Sequence, residues 1–97
     1  MIRVLIADDH QLARQALQAL LDRADDIEVV AEARDGQQAV ELARRFQPNV
    51  VLMDMAMPGL SGLRALEQMQ ALHPRPQVVI ISMYSDEGLV RDALQKG

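Results

Sequence analysis

One apolar run that ends in an aspartate constrains this chain more than any other stretch. Val50 to Met53 is uninterrupted and contains β-branched residues, Asp54 follows it directly, and Pro58-Gly59 comes soon after. Such a run, with turn residues beyond it, is typical of a strand buried on both faces of a parallel sheet. Asp54 is therefore predicted at the C-terminal end of a central strand, the edge where open α/β sheets bind ligands. A single strand-end aspartate, taken alone, more often caps the loop than takes part in chemistry.

Strand-like runs and helical patterns alternate along the whole chain. Strands are predicted at 2–7, 27–33, 50–54 and 77–82, and the mixture of apolar and acidic residues in 27–33 is typical of a sheet edge. Each run is followed by an amphipathic helical pattern, the second with Asp35 as its N-cap and Gln38 reaching back to it, the third with Ser61 as its N-cap. This alternation predicts one α/β domain with a doubly wound parallel sheet and right-handed crossovers.

The periodicity also predicts which side of each helix meets the sheet. In the first helix Arg14 is expected to face water, together with the glutamines around it. The side chains expected in the core are Leu12, Ala16, Leu17, Leu20 and Leu21 in the first helix, Ala39, Val40, Leu42, Ala43 and Phe46 in the second, Leu63, Leu66, Met69 and Leu72 in the third, and Leu89, Val90, Ala93 and Leu94 in the fourth.

Composition narrows the class of protein. The 97 residues suit one small domain. The net charge of −4 and the absence of a basic, aromatic-rich run argue against a nucleic-acid surface in this chain. The chain has no cysteine, which excludes disulfide and thiol chemistry and favours a cytoplasmic setting. The apolar N-terminal run is too short for a membrane span or a signal peptide, so no membrane association is expected.

A pair of acidic residues near the start of the chain favours a chemical role for Asp54 over a loop cap. Asp8 and Asp9 directly follow the first predicted strand, as Asp54 follows the third apolar run. If these strands are neighbours, three carboxylates meet at one sheet edge, where they destabilise the fold unless a cation binds. Carboxylates with room for water suit Mg²⁺, and a bound cation would let Asp54 act as a nucleophile in phosphoryl transfer. Ser82 ends the fourth predicted strand at the same edge and is a candidate ligand of a phosphoryl oxygen, although a serine there is often only a loop cap.

Together these residues resemble a response-regulator receiver domain, the phosphoacceptor of two-component signalling. The resemblance covers the whole chain and depends on three separated motifs: Asp8-Asp9, Asp54 with Met57-Pro58-Gly59, and Ser82. More narrowly, the stretches 54–63 (DMAMPGLSGL) and 81–86 (ISMYSD) are similar to those of the transcriptional regulators that carry a C-terminal helix-turn-helix, the NarL/FixJ-like subfamily. The resemblance implies a flavodoxin-like sheet with the strand order 2-1-3-4 for the four strands present.

The resemblance also implies a role for each motif residue. Asp54 would accept a phosphoryl group from a sensor histidine kinase. Asp9 would bind Mg²⁺ directly and Asp8 mostly through water, with Asp54 and the backbone carbonyl of Ala56 as further metal ligands. Ser82 would bind the phosphoryl group and reorient as the switch. The implied activity is self-phosphorylation and slow self-dephosphorylation, not enzymatic turnover of a metabolite, with transcription as the regulated output.

The sequence departs from the receiver pattern at its C-terminal end. Receivers have a fifth strand, which begins with a lysine that contacts the phosphoryl group, and then a fifth helix; Lys96 does not match that lysine in position. We therefore expect residues 1–97 to be a receiver that is incomplete at the C-terminus, with DNA contacted only through a helix-turn-helix domain that is missing here. An open edge on the fourth strand predicts a homodimer or segment exchange through that edge, and exposed apolar faces on the first helix and first strand. Ala56 and Tyr84 lie where receivers vary their dephosphorylation rate.

Two alternative functions stay open at this point. Without the fifth-strand lysine, the domain would be a receiver-like interaction module that takes no phosphate. A Mg²⁺-dependent phosphohydrolase with an aspartyl nucleophile is disfavoured, because such enzymes need a general acid two residues after the nucleophile, where this chain has Ala56.

Overall fold

The computed structural model describes residues 1–54 and 62–81. In these two ranges strands and helices alternate strictly, as predicted. The elements are β1 (Ile2–Ala7), α1 (Gln11–Leu21), β2 (Ile27–Ala33), α2 (Gly36–Phe46), β3 (Val50–Asp54), α3 (Gly62–Gln70) and β4 (Gln77–Ile81).

The four strands form one parallel sheet in the order β2-β1-β3-β4. The predicted α/β class, the doubly wound topology and the strand order are all confirmed. β2 lies at one edge, in agreement with its mixed apolar and acidic pattern, and an irregularity between Val4 and Leu5 shifts its register against β1. β1 and β3 lie at the centre, which puts the ends of the two most buried strands next to each other.

The largest buried cluster lies on the side of the sheet that is covered by α2 and α3. Side chains of β1 and β3 meet small residues of the two helices, which also contact each other. The fully buried members with less than 2 % exposure are Leu5, Ala7, Ala33, Ala39, Val51, Met53, Ala65 and Met69. Small residues on the helices let them approach the sheet closely, so the central strands are held rigidly up to the residues that end them.

α2 follows the sequence prediction closely. Asp35 caps its N-terminus by accepting a hydrogen bond from the backbone N–H of Gln38 at 2.8 Å. The Gln38 side chain differs slightly from the expectation, because its Oε1 accepts from the backbone N–H of Arg34 at 2.8 Å rather than from Asp35. Ala39, Val40 and Ala43 are buried as predicted, and the helix ends at Phe46, two residues before Pro48.

The predicted core face of α1 is wrong in part. Leu12 is 80 % exposed, Leu20 is 61 % exposed and Ala16 is also exposed, whereas Ala13 is buried at 4 %. Two adjacent stripes of this helix are apolar, one containing Leu12, Ala16 and Leu20 and the other starting at Ala13, and periodicity alone does not choose between them. The sheet takes the second stripe.

One residue of α3 is also misassigned. Leu63, predicted in the core, is 58 % exposed, and Ala65 is fully buried in its place. Met69 is buried as predicted, and Leu66 and Leu72 pack against the core from its margin. Because Ala65 is the smaller residue, α3 lies closer to its neighbours than a leucine at the contact would allow.

The sequence predicts exposed apolar faces on both α1 and β1, and the structure confirms this for α1 but not for β1. Val4, Leu5, Ile6 and Ala7 are all buried at 3 % or less. β4 lies at an edge of the sheet within the described residues, and its pairing with a second copy stays a prediction. The fourth predicted helix, Ser61 and Ser82 lie outside the described residues.

Candidate functional site

Parallel pairing brings two carboxylates side by side. Ala7 is the register partner of Met53, so the next residues along the two strands, Asp8 and Asp54, leave the sheet at the same edge. Neighbouring strands are about 4.8 Å apart, which makes close approach of these two side chains a consequence of the pairing itself. Both aspartates are buried, Asp8 at 2 % exposure and Asp54 at 5 %.

Asp9 and His10 complete a compact group at this edge. One possible ligand atom from each of Asp8, Asp9, His10 and Asp54 lies within 4.8 Å of all the others. Asp9 and His10 are exposed, whereas Asp8 and Asp54 are not. The group is therefore a half-open acidic site, with two carboxylates set into the protein and two side chains on the solvent side.

Asp8 is held by three hydrogen bonds, two to its backbone and one to its side chain. Its N–H continues the β1–β2 ladder by donating to the Ala33 carbonyl oxygen at 3.0 Å. Its carbonyl oxygen accepts a hydrogen bond from Arg14 Nη1 at 2.6 Å. Its Oδ1 accepts from the backbone N–H of His10 at 2.8 Å. These bonds fix the position of a buried charge, because a carboxylate with little access to water needs such donors.

Arg14 is one residue whose place in the site the sequence pattern does not predict. Its helical position predicts that it faces water, but its side chain is only 12 % exposed and its Nε lies 3.6 Å from Glu32 Oε1. The guanidinium thus joins the end of β1 to the edge strand β2 while it supports Asp8. The sequence does contain a signal for this contact. Arg14 follows Asp8 by six residues, and this spacing brings the first turn of α1 back to the end of β1.

His10 is the second residue that sequence reasoning missed. Its Nδ1 lies 3.0 Å from Asp9 Oδ1 and 3.3 Å from Asp8 Oδ1, so the acidic group contains a ring nitrogen. The sequence carries a plain signal for this position, because His10 directly follows the acidic pair at a strand end.

The donor set fits a divalent cation. Carboxylates within one small volume repel one another, and a hard cation with oxygen ligands relieves that repulsion directly. Asp8, Asp9 and Asp54 are the predicted side-chain ligands of Mg²⁺, and the structure brings all three together. The other predicted site residues, Ala56 with its backbone carbonyl and Ser82, lie outside the described residues, as does Tyr84.

The fold and this strand-end acidic group define a class of protein, and comparison with known proteins agrees with it. Residues 4–97 match the family described as the response regulator receiver domain. The transcriptional regulatory protein LiaR of Bacillus subtilis is 38 % identical over 97 residues, which are 100 % of this chain and 46 % of LiaR.

Two solved structures are similar over nearly the full chain. The response regulator domain of Thermotoga maritima CheB superposes with a TM-score of 0.86 at 37 % identity, covering 100 % of this chain and 73 % of that one. The signal receiver domain of the putative response regulator NarL from Mycobacterium tuberculosis superposes with a TM-score of 0.81 at 35 % identity, covering 99 % of this chain and 77 % of that one.

The chain belongs to the response regulator receiver domain family, and its relatives include transcriptional regulators of the NarL type. This confirms the resemblance inferred from the three motifs. The chain spans about half the length of the curated relatives that it matches, at 46 % of LiaR. Among the helices in the described part of the chain, none has the length and apolar character needed to cross a membrane.

Proposed function

We propose that this protein is the phosphoacceptor module of a two-component response regulator, with Asp54 as the residue that receives the phosphoryl group. The observation that carries the proposal is the juxtaposition of Asp54 with Asp8 and Asp9 at the C-terminal edge of the two central strands. Membership of the receiver family supports the same assignment.

The carboxylates have different roles in this proposal. Asp54 ends β3, whose buried apolar residues fix its backbone, so its carboxylate is presented from a rigid base. Asp9 is on the solvent side and binds the cation directly, whereas Asp8 is held by the His10 N–H and acts mostly through water. The backbone carbonyl of Ala56 is the proposed further metal ligand, and Ser82 the proposed phosphoryl ligand and switch.

The reaction is a transfer of a phosphoryl group between two protein side chains. A carboxylate oxygen of Asp54 bonds to phosphorus while the P–N bond of a phosphohistidine on the sensor kinase breaks, and the released imidazole takes up a proton. Mg²⁺, when bound, supplies positive charge against the phosphoryl oxygens. Asp54 then carries an acyl phosphate, which water hydrolyses slowly, so the protein acts as a timed switch and not as an enzyme that turns over a metabolite.

The partners and the output follow from the family. The proposed donor is a sensor histidine kinase, and the proposed output is transcription, as the name of the relative LiaR indicates for that protein. This chain itself is not proposed to bind nucleic acid, since its net charge is −4. A cytoplasmic location is proposed because receivers meet the kinase and the transcription machinery there.

The test is phosphorylation of the protein by acetyl phosphate with Mg²⁺, followed by intact-mass measurement. The wild type is expected to gain one phosphoryl group, and Asp54→Asn to gain none, because the amide is isosteric but is not a nucleophile. Asp25→Asn is the matched control, since Asp25 is an exposed aspartate in the connection between α1 and β2. It should be labelled like the wild type.

Two outcomes would overturn the proposal. Equal labelling of Asp54→Asn and the wild type would show that Asp54 is not the acceptor. A folded wild type that takes up no phosphate from acetyl phosphate or from any histidine kinase would favour the alternative, a receiver-like interaction module.

A further inference from the structure

His10 places a nitrogen donor inside the acidic site, and we infer that it is a metal ligand that makes the site selective for nitrogen-accepting transition-metal ions over Mg²⁺. The inference rests on the proposed function only in taking the acidic group as a cation site. It concerns a residue that the three receiver motifs do not include.

The distances around His10 suit adjacent ligands of one ion. Its Nδ1 lies 3.0 Å from Asp9 Oδ1 and 3.3 Å from Asp8 Oδ1. Neighbouring ligands of an octahedral ion with bonds of about 2.1 Å are separated by about 3.0 Å. The ring nitrogen and the Asp9 oxygen therefore stand at the separation that two adjacent ligands of one ion require, and Asp8, whose oxygen lies 3.3 Å from the ring, is close enough to act through a bound water.

The backbone holds the ring in this position. The His10 N–H donates to Asp8 Oδ1 at 2.8 Å, and Arg14 donates to the Asp8 carbonyl oxygen at 2.6 Å, so the turn between β1 and α1 is fixed on both sides. His10 is also the N-cap residue of α1, but its side chain makes no capping hydrogen bond. The ring is directed to the carboxylates and not to the helix.

The chemistry of the ligand atoms then determines which ions bind more tightly. Carboxylate and water ligands suit Mg²⁺, whereas imidazole suits Ni²⁺, Zn²⁺ and similar ions. A site of three carboxylates and one imidazole still accepts Mg²⁺ but binds the transition-metal ions more tightly. The consequence for the protein is that Ni²⁺ or Zn²⁺ competes with Mg²⁺ for the phosphorylation site.

A hydrogen bond from the ring to the carboxylates is the competing explanation of the same distances. Asn separates the two, because its side-chain N–H₂ donates a hydrogen bond from nearly the place of Nδ1 but offers no lone pair to a metal. His10→Asn thus keeps a hydrogen-bond donor near Asp8 and Asp9 and replaces the nitrogen ligand by at most an amide oxygen, which lacks the preference of imidazole for Ni²⁺ over Mg²⁺. His73→Asn is the matched control, since His73 is exposed and lies between α3 and β4.

The experiment is calorimetric titration of wild type, His10→Asn and His73→Asn with Ni²⁺ alone and with Mg²⁺ alone. We expect His10→Asn to weaken Ni²⁺ binding about tenfold or more and Mg²⁺ binding by less than about threefold. His73→Asn should bind both ions like the wild type. Proton NMR of the Ni²⁺ form should show hyperfine-shifted signals of a bound imidazole that are absent in His10→Asn.

The outcomes separate this inference from the proposed function. Unchanged Ni²⁺ affinity in His10→Asn, an equal loss for both ions, or the same shifted imidazole signals in the variant would overturn the role of His10. Failure of the wild type to take up phosphate from acetyl phosphate, with Ni²⁺ still bound through His10, would overturn the proposed function and leave this inference standing.

Discussion

The helices α1 and α2 have the same length of 11 residues, and α1 is the more apolar of the two in sequence, yet α2 is the one that buries more of its side chains. α2 buries four residues and contacts both the sheet and α3. α1 buries only Ala13 and contacts mainly β1 and β2. α2 is therefore fixed by packing, whereas α1 leaves two leucines in water and is tied to the sheet by Arg14.

The N-termini of the two helices differ in the same sense. The Asp35 side chain accepts a hydrogen bond from the Gln38 N–H in the first turn of α2, and Asp35 is not part of the acidic group. The N-cap of α1 is His10, whose ring meets Asp8 and Asp9 instead of the helix. α2 is therefore part of the hydrophobic core, whereas the residue at the start of α1 lies in the acidic group.

The largest expected effect tests the packing of α2 against that of α1. Val40 is 3 % exposed, so Val40→Gln buries an amide without partners and should cost about 3 kcal/mol of stability. Leu20 is 61 % exposed, so Leu20→Gln should change stability by no more than about 0.5 kcal/mol. Urea denaturation measures both, and similar costs for the two variants would contradict the difference drawn between the helices.

The next effect tests the tie at Arg14. Arg14→Met keeps an apolar stem but removes the donor to the Asp8 carbonyl and the pair with Glu32, which should cost about 2 kcal/mol. Arg44→Met, at an exposed arginine in the last turn of α2, should cost less than about 0.5 kcal/mol. The free energies of unfolding compare the two, and an Arg14 variant as stable as the Arg44 variant would show that α1 is held by packing after all.

A smaller effect tests the helix caps. Asp35→Ala removes the bond to the Gln38 N–H and should destabilise the protein by about 1 kcal/mol. His10→Ala removes no cap of α1, so in metal-free buffer it should leave amide hydrogen exchange in the first turn of α1 nearly unchanged, whereas Asp35→Ala should speed exchange in the first turn of α2. Thermal melts measure the loss at Asp35, and hydrogen exchange with chelator present compares the two first turns; exchange in α1 of His10→Ala that speeds up as much as exchange in α2 of Asp35→Ala would mean that the ring stabilises the helix.

The smallest effect concerns the cation. On the proposed function Mg²⁺ binds the folded protein and not the unfolded chain, so at a concentration equal to its dissociation constant it should add about 0.4 kcal/mol of stability. Hydrogen exchange should slow more at the start of α1, next to the ligands, than at the start of α2. Asp9→Ala should abolish both responses; if its melting temperature rises with Mg²⁺ as much as that of the wild type, Asp9 is not a ligand.

The amino-acid sequence is enough to predict the alternation of strands and helices, the central place of the β3 run and the three acidic positions of the site. These features follow from local rules: apolar runs bounded by turns, a carboxylate cap at Asp35, and parallel strands whose ends share one edge. Asp8-Asp9 and Asp54 each follow an apolar run, so the sequence places them at the same edge of the sheet; that they meet also requires β1 and β3 to be neighbours, which the fold provides.

The rotation of α1 and the contacts that hold Asp8 are seen only in the folded protein. Two adjacent apolar stripes on α1 are equivalent to a periodicity argument, so the choice depends on a contact that is not local in the hydrophobic pattern. Arg14, six residues after Asp8, reaches back to the Asp8 carbonyl at 2.6 Å, and this bond accompanies the rotation that turns Ala13 to the sheet and Leu12 to water. The contact of a half-buried charged residue such as Arg14 leaves no mark in the hydrophobic pattern. The same holds for the ring of His10, which lies beside the aspartates at the end of the turn that Arg14 supports.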